Sequence, residues 1–525
     1  MNVRKRVYRS SVWVMALLLW CTGVLAGSVQ AASSPIAIVL DGKRLTSDVA
    51  PYIVPKANVT LVPLRVISES IGAAVDWNPS AKSVTIRMSG TTIVMRTGQK
   101  YATVNGGNIM LDITVQTKQG RTMVPLRFVG EQLGLAVNWD SASRTITLLS
   151  AAAGGGSGRS GGVVGAWIST VYNLDWPSAA SYGNAEMQKA EFAALLDKLQ
   201  AMGVNTVFVQ VRPAADALYP SRLVPWSKAL TGVQGADPGY DPLAYMIEQT
   251  HLRGMKFEAW FNPFRATTDG NTSALDPSHV ALSHPEWIVK AGGKDYINPG
   301  IPEARRHIID VIMEVVNGYE IDGVHLDDYF YPSGVAFADD DAFATYNSGG
   351  FADKADWRRD NINRFVRELG EAIHAAKPQV RFGISPFGVW RNKSADKTGS
   401  DTKAGVSAYD DMYADVRTWI REEWIDYVVP QIYWSLSFSA ARYDVLTDWW
   451  ANEVKGTNVD LYIGHAPYKL GTSEAGWQTA QEIVNQLKYN ESVPEVKGDV
   501  FFSAKDLLRN PLGVADALKQ YYGLK

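Results

Sequence analysis

Hydrophobic and polar positions alternate in short runs along the second two thirds of the chain, and amphipathic stretches with helical spacing separate these runs. Eight runs are typical of strands, and they begin at Val163, Val204, Met255, Ile321, Val380, Ile425, Val459 and Gly498. The intervening stretches, such as EMQKAEFAALLDKLQAMG, mostly end at Gly or Pro, which stop helices. Eight alternations over roughly 350 residues predict an α/β fold with a (β/α)8 TIM-type barrel. The competing architecture is a doubly wound open sheet, but no Gly-rich phosphate loop follows the first strand.

The first 31 residues are predicted to be a signal peptide. Four basic residues precede an apolar run at residues 12–25, and small residues after it offer cleavage after about Ala31. A retained membrane anchor is the alternative, although the run is short for a membrane span. We therefore expect a protein that is secreted or held in the cell wall, with no membrane contact after cleavage.

An internal repeat organises residues 35–150. The segment VPLRVISESIGAAVDWNPSAKSVTI begins at Val62 and recurs as VPLRFVGEQLGLAVNWDSASRTITL from Val124, an offset of 62 that also relates Trp77 to Trp139. Each copy is typical of a strand, a short helix and a closing hairpin, which predicts a small α+β domain. Residues 151–162 are rich in Gly and Ser and predict a flexible linker, so residues 163–525 form the second domain.

Composition narrows the range of partners. The 525 residues carry a net charge of -3 and no basic run, which disfavours nucleic acid or an anionic membrane as the main partner. The one cysteine, Cys21, lies in the predicted signal, so the mature chain has no thiol for disulfides, nucleophilic catalysis or zinc. The first histidine is His251, so the repeat domain has neither histidine nor cysteine to hold copper. No metal or other cofactor is predicted, and a neutral or weakly charged ligand is expected.

Alternation within the eight strands assigns polar or aromatic residues to the barrel interior, mostly near the carboxyl end of each strand. A barrel interior built only for stability is filled by branched apolar residues, and the active sites of such barrels lie at the carboxyl ends of the strands. The pattern therefore predicts a site. The assigned residues are Trp167, Ser169, Gln210, Arg212, Glu258, Trp260, Asn262, His325, Asp327, Tyr329, Ser385, Gln431, Tyr433, His465, Ser503 and Lys505.

Carboxylates are the candidate catalytic groups, because cleavage of a glycosidic bond needs an acid and a second carboxylate that acts as nucleophile or base. Asp327 is favoured as nucleophile or base, since no basic partner is evident beside it. Asp328, Glu258 and Asp216 are the candidate acids, in that order. Asp328 needs a turn to aim it inward, and Asp216 lies in the loop after the second strand. For Glu258, a structural ion pair with Arg212 is nearly as well supported as catalysis.

The residues around these carboxylates fit a sugar ligand. Three tryptophans, Trp260, Trp390 and Trp434, fall at or just beyond strand ends, where a ring can cover a pyranose face; packing under a loop is the alternative for each. Candidate binding groups for hydroxyl, acetamido or carboxylate substituents are Arg212, Asn262, Arg265, Tyr329, Gln431, Tyr433 and His465. Three consecutive aspartates, residues 339–341, form either a calcium site or, as the favoured interpretation, a solvated charge run.

Two known families are similar to this chain. Residues 163–489 resemble the glycosyl hydrolase-like family 10 through the segments VFVQVRPAADALYPS, FEAWFNPFR, YINPGIPEAR, IDGVHLDDYFYP, FGISPFGVWRN and DYVVPQIYW. This resemblance implies a glycosidase-like (β/α)8 barrel and cell-wall glycan as the substrate class. The repeat domain resembles the copper amine oxidase-like N-terminal domain, which implies a stalk or wall-associating module.

The sequence hypothesis is a secreted glycosidase that acts on bacterial cell-wall polysaccharide, in particular peptidoglycan glycan strands, by two-carboxylate acid/base catalysis. Two alternatives stay open. One is a non-catalytic glycan-binding barrel, and the other is a metal-dependent polysaccharide deacetylase or amidohydrolase. The second alternative needs clustered histidines, and the alternation assigns only His325 and His465 to the interior.

Overall fold

The computed structural model describes residues 36–150, apart from 41–42, 55–58, 89–90, 112, 127, 130–134 and 141–143, and residues 162–524, apart from 329. The predicted signal peptide and most of the predicted linker lie outside these residues. Among the described residues, no helix is long and apolar enough to cross a membrane.

The part that precedes residue 151 is rich in β-strands and has its own hydrophobic core. Its two repeats meet at the antiparallel strands Val59–Pro63 and Arg121–Pro125, where Val62 lies opposite its equivalent, Val124. Antiparallel pairing about equivalent residues gives this strand pair a local two-fold axis. The described elements are the helix Leu64–Ser70 and the strands Ala37–Leu40, Lys43–Leu45, Tyr52–Val54, Val59–Pro63, Ala74–Asn78, Ser83–Met88, Thr91–Arg96, Tyr101–Val104, Gly107–Met110, Gln116–Lys118, Arg121–Pro125, Leu135–Asp140 and Thr145–Ser150.

The second part is a closed barrel of eight parallel strands, which confirms the predicted TIM-type fold. The first and last strands pair in parallel and close the barrel, with Gly165 opposite Val500. Each predicted strand region contains or overlaps one barrel strand. The strands are β1 (Val163–Ile168), β2 (Thr206–Arg212), β3 (Lys256–Phe261), β4 (Gly323–Leu326), β5 (Arg381–Ile384), β6 (Tyr427–Val428), β7 (Asp460–His465) and β8 (Val496–Phe501).

Helices surround the barrel and bury the outward faces of its strands in one large hydrophobic core. A smaller cluster, which includes Trp167, Phe208 and Tyr427, fills the barrel interior. A hairpin of Ile288–Ala291 and Lys294–Ile297 lies in the long loop between β3 and β4. The α-helices are Ala185–Gln200, Lys228–Thr231, Pro242–His251, Val280–Ser283, Pro302–Gly318, Asp340–Tyr346, Lys354–Ala376, Ala408–Asp411, Val416–Arg421, Tyr443–Val454, Gln481–Glu491, Ala504–Arg509 and Val514–Tyr521.

Candidate active site

Asp327 follows β4 at the carboxyl end of the barrel, and its side chain is almost fully buried. The amide nitrogen of Asn262, which follows β3, donates a hydrogen bond to Asp327 Oδ2. The two residues lie side by side because β3 and β4 are neighbours, with Phe261 opposite Leu326 in the register. Alternation along these strands therefore places an amide and a carboxylate together at the barrel mouth.

Gln210 of β2 fixes the orientation of Asn262. The backbone N–H groups of Thr170 and Val171 donate to Gln210 Oε1 over 2.9 and 2.8 Å, so the Gln210 amide nitrogen points away from them. That nitrogen donates to Asn262 Oδ1, which leaves Asn262 Nδ2 to donate to Asp327. The two linked amides, those of Gln210 and Asn262, are called the amide relay below. It presents a fixed donor to Asp327 and suits an ionised carboxylate, which only accepts hydrogen bonds.

Asp328 is also buried but has different electrostatics. Its pKa is raised to about 7, chiefly because burial disfavours the charged form and also because the negative charge of Asp327 is close. A hydrogen bond from Gln431 and the positive charge of Arg265 oppose this shift. Gln431 is itself anchored, since its amide nitrogen donates to the Ser385 carbonyl oxygen over 3.1 Å. The raised pKa keeps Asp328 partly protonated near neutral pH, and the protonated carboxyl group is the form that can donate a proton.

A neutral hydrogen-bonded network fills the barrel interior around His325. Trp167 Nε1 donates to His325 Nε2 over 3.1 Å, and because an indole N–H only donates, the imidazole proton lies on Nδ1. His325 Nδ1 lies 3.2 Å from the hydroxyl of Tyr427, which in turn donates to Glu258 Oε2 over 3.0 Å. Burial lowers the pKa of His325 to about 3, so this histidine is neutral.

Glu258 faces the interior, as alternation predicts, but it is not close to Asp327. It lies opposite Gly323 at the start of β4, and a Cβ atom at residue 323 would lie 1.8 Å from Glu258 Oε2. Asp327 lies four positions beyond Gly323 along the chain, which in extended backbone is a distance of about 13 Å. Burial raises the pKa of Glu258 to about 8. The suggested ion pair with Arg212 is also wrong, since the hydrogen bond that Glu258 accepts comes from Tyr427.

Arg212 does not face the pocket, because the pairing of β2 with β3 shifts by one residue at this point. Gln210 lies opposite Trp260, but Arg212 lies opposite Phe261, a residue of the outer core. An irregularity of this kind redirects the side chains that follow it. Arg212 Nη1 donates to the carbonyl oxygens of Asn262, over 2.5 Å, and of Pro263, over 3.0 Å. The prediction of direct substrate binding is therefore wrong in this geometry, and Arg212 holds the backbone that carries Asn262.

Asp216 has its hydrogen-bond partners in the loops that follow β2. The Ala214 N–H donates to Oδ1 over 3.1 Å, and the Gln234 side chain donates to Oδ2 over 3.2 Å. Burial raises the pKa of Asp216, while His279 nearby lowers it. These contacts hold the carboxyl group within the loops and give it a structural role there.

His465 was predicted to face the interior, and this prediction is wrong. Its Nδ1 lies 2.9 Å from Gln486 of a surrounding helix, and its Nε2 lies 2.8 Å from Asp499 of β8. Its ring stacks on Tyr443 with the ring centroids 5.7 Å apart. His465 is therefore buried between the barrel and its helices.

His325 lies inside the barrel, so the two histidines do not form the cluster that the metal-dependent alternative needs. The described residues contain no group of three or more His, Cys, Asp or Glu side chains arranged to hold a metal ion.

The three candidate tryptophans have different environments. Trp260 lies inside the barrel, and its indole N–H has no hydrogen-bond partner among the described residues. Trp390 is buried, with its ring stacked on Trp449 at 5.6 Å between centroids and the Arg417 guanidinium over its face at 4.6 Å. These partners come from the helices Val416–Arg421 and Tyr443–Val454, so the ring is covered on its faces and the prediction that it stacks on a sugar is wrong. Trp434 is half-buried and touches Phe387 edge to face, with centroids 5.6 Å apart.

An aromatic group at the ends of β6, β7 and β8 leaves rings accessible at the barrel mouth. Tyr433 contacts Tyr468 and Phe502, with ring centroids 5.9 and 6.1 Å away. The Tyr468 side chain is 41% exposed, so this group has a free aromatic surface. The predicted binding residue Tyr329 lies outside the described residues.

Sequence reasoning missed Asp175, a carboxylate near the mouth. It accepts hydrogen bonds of 2.7 Å from the Ser169 N–H, the Ser503 hydroxyl and the Lys505 N–H, so it ties the loop after β1 to the end of β8. Burial raises the pKa of Asp175 to about 6. Asp175 lies in an irregular loop, where no periodicity marks the direction of a side chain.

The three consecutive aspartates include one that is not solvated. Asp339 has a fully buried side chain, and Arg358 donates to its two oxygens over 2.8 and 2.6 Å. Asp340 pairs with Lys354 over 2.6 Å at the surface. The favoured interpretation as a solvated run is therefore wrong for Asp339, which anchors the helix Lys354–Ala376 through a buried ion pair.

Comparisons with known proteins found matches to both parts of the chain. A family model described as Glycosyl hydrolase-like 10 matches residues 162–480, and one described as Copper amine oxidase N-terminal domain matches residues 39–148. Glycosyl hydrolase YngK of Bacillus subtilis is 53% identical over 357 residues, which cover 67% of this chain and 70% of that protein. Glycosyl hydrolase DigH of Escherichia coli K12 is 44% identical over 370 residues, which cover 66% and 84%. The solved glycoside hydrolase domain of PgaB (BpsB) from Bordetella bronchiseptica aligns with a TM-score of 0.47 at 14% identity, over 69% of this chain and 99% of that chain.

Fold and family together define a barrel of the glycoside hydrolase type. The chain belongs to the glycosyl hydrolase-like 10 family, with a copper amine oxidase N-terminal domain ahead of the barrel.

Proposed function

We propose that the protein is a secreted glycoside hydrolase that cleaves bacterial cell-wall polysaccharide, in particular the glycan strands of peptidoglycan. The observation that carries the proposal is the pair of adjacent carboxyl groups at the barrel mouth. Asp327 accepts a hydrogen bond from the amide relay, and Asp328 has its pKa raised to about 7. One group suited to the ionised state beside one that is partly protonated is the combination that glycosidic cleavage requires.

In the proposed reaction Asp328 gives its proton to the oxygen of the leaving sugar as the glycosidic bond breaks. The carboxylate of Asp327 then either attacks the anomeric carbon or takes a proton from the water that attacks it. In either mechanism, the hydrogen bond from Asn262 Nδ2 holds Asp327 Oδ2 in a single position. The side chain of Gln431 donates a hydrogen bond to Asp328, and the positive charge of Arg265 lies close to it.

Other observations support the proposed substrate class and the proposed location of the protein. The predicted signal at residues 1–31 favours export, and the absence of a basic run fits a ligand of low charge. The exposed aromatic group of Tyr433, Tyr468 and Phe502 fits the apolar face of a pyranose ring. The two relatives are named as glycosyl hydrolases, which favours cleavage over binding alone.

The test is an analysis of products. The mature protein is incubated with intact and with peptide-stripped peptidoglycan, and the soluble material is identified by mass spectrometry. The proposal expects a ladder of saccharides with new reducing ends. Release of acetate without new reducing ends would point to deacetylation. If the protein sediments with the glycan and releases nothing soluble, it is a glycan-binding barrel and the proposed catalysis is wrong.

A further inference from the structure

The part that precedes residue 151 contains a groove of about 520 Å³. Its lining includes Val75 and Trp77 of the first repeat, and Thr117 and Arg121 of the strands just before the second repeat. A volume of this size lies in the range of small-molecule sites, which is roughly 300–1,000 Å³. The groove lies within residues 46–122, so it is separate from the catalytic barrel in the chain.

The wall formed by the first repeat presents an aromatic ring. Val75 and Trp77 are two positions apart on the strand Ala74–Asn78, so alternation puts both side chains on the face that lines the groove. Val75 packs against the domain core, but the Trp77 side chain stays 44% exposed. This strand is at the edge of its sheet, and the exposed part of the ring is accessible to a ligand. A tryptophan exposed in a groove is a stacking surface for a flat apolar face.

A charge pair also lines the groove. Arg121 donates to Asp48 Oδ2 through Nε, over 2.9 Å, and through Nη2, over 2.6 Å. The two side chains are 46% and 57% exposed, so both keep polar atoms that a ligand can reach. Their charges cancel, and the pair therefore offers donors and acceptors without attracting a free ion. A stacking ring in the same groove as a neutral set of donors and acceptors matches the apolar face and the hydroxyl edge of a sugar.

We propose that this groove binds a short segment of polysaccharide and that the domain anchors the enzyme on the glycan its barrel cleaves. The proposal rests on the proposed function for the identity of the glycan. A linked binding domain raises the concentration of the barrel near its substrate, provided that the linker can span the distance. The 12 residues 151–162 can span at most about 40 Å when fully extended, so the barrel stays tethered to the bound segment.

The test separates binding from cleavage in the full mature chain. Trp77→Ala and Arg121→Gln each change one residue that lines the groove, and Tyr101→Ala is the matched control, because Tyr101 is an aromatic residue of the same domain that is 39% exposed and does not line the groove. Sedimentation with insoluble, peptide-stripped peptidoglycan measures binding, and cleavage of soluble oligosaccharides measures the barrel. Circular dichroism establishes that each variant is folded.

The proposal expects Trp77→Ala and Arg121→Gln to weaken sedimentation at least about tenfold while Tyr101→Ala does not. Cleavage of soluble oligosaccharides stays unchanged in all three, and cleavage of the insoluble glycan falls in the two groove variants. Equal sedimentation of the groove variants and the control would overturn the proposal, as would wild type that does not sediment at all. Should no variant or wild type cleave any glycan while the groove variants still lose binding, the proposed function fails and the binding site stands.

Discussion

Replacement of Glu258 by glutamine tests whether this carboxyl group is a neutral structural residue of the barrel interior. Burial raises its folded-state pKa to about 8, from an ordinary value of 4.5. Between these two values the folded protein holds a proton that the unfolded chain has released. The stability that this proton confers is fully present below pH 4.5 and is lost as the pH rises toward 8.

The magnitude of this pH-dependent loss of stability follows from the difference between the two pKa values. Each pH unit between the two pKa values costs the wild type about 1.4 kcal/mol of unfolding free energy, so about 3 kcal/mol is lost between about pH 5 and about pH 7.5. Glutamine does not titrate and keeps an acceptor for the Tyr427 hydroxyl. The unfolding free energy of Glu258→Gln relative to wild type should therefore rise by about 3 kcal/mol over the same interval.

Urea titrations of both proteins at the two pH values, followed by tryptophan fluorescence, measure this difference. Glu371→Gln is the control, because that side chain is 71% exposed, and its difference from wild type should stay constant. An equal difference at both pH values for Glu258→Gln would refute a buried neutral carboxyl group. The variant should also cleave glycan at the wild-type rate below pH 7. A loss of activity of more than tenfold would return Glu258 to the catalytic candidates.

Three further predictions follow from the site. Asn262→Ala removes the amide that donates to Asp327 and should lower kcat about 100-fold, because Asp327 is no longer held in position. Circular dichroism should show an unchanged fold, and a near-normal kcat would show that the amide relay is not needed. The value of kcat/KM should fall to half near pH 7 and continue to fall at higher pH, because Asp328, with a pKa of about 7, must be protonated to act as the acid. A kcat/KM that stays constant up to about pH 9 would exclude Asp328 as the catalytic acid. His465→Ala removes the histidine hydrogen bonds to Gln486 Oε1 and to Asp499 Oδ1, although Asp499 keeps the one from Asn490. The unfolding free energy should fall by about 2–3 kcal/mol while the folded variant keeps its kcat on soluble glycan, and a selective loss of kcat would place His465 in the site.

The architecture could be predicted from the sequence because periodicity reports it directly. All eight predicted strand regions are occupied by barrel strands, and the side-by-side position of Asn262 and Asp327 follows from alternation in neighbouring strands. Alternation predicts whether a side chain points into or out of the barrel, but it does not predict the position of the residue along the barrel axis. Glu258 faces the interior as predicted, and only the register with β4 shows that it lies opposite Gly323, far from Asp327.

The remaining errors have local physical causes. The register shift in β2 redirects Arg212, and a single shift of this kind has no sequence signature. On β7 the interior positions include Tyr462, whereas His465 is in the opposite phase and faces the helices. Trp390 follows β5 in a loop, where the packing partner Trp449 comes from a helix more than 50 residues later. These contacts depend on tertiary structure, so no pattern within one segment predicts them.

The most direct test of the proposed catalysis is the rate at which reducing ends appear when Asp327→Asn acts on peptide-stripped peptidoglycan, measured beside wild type and after circular dichroism has shown an intact fold. Asparagine keeps the size of the side chain and removes the charge that the reaction needs. We predict a fall in rate of at least about 1,000-fold. A variant that releases reducing ends at the wild-type rate would contradict the assignment of Asp327 and, with it, the two-carboxylate site at the barrel mouth.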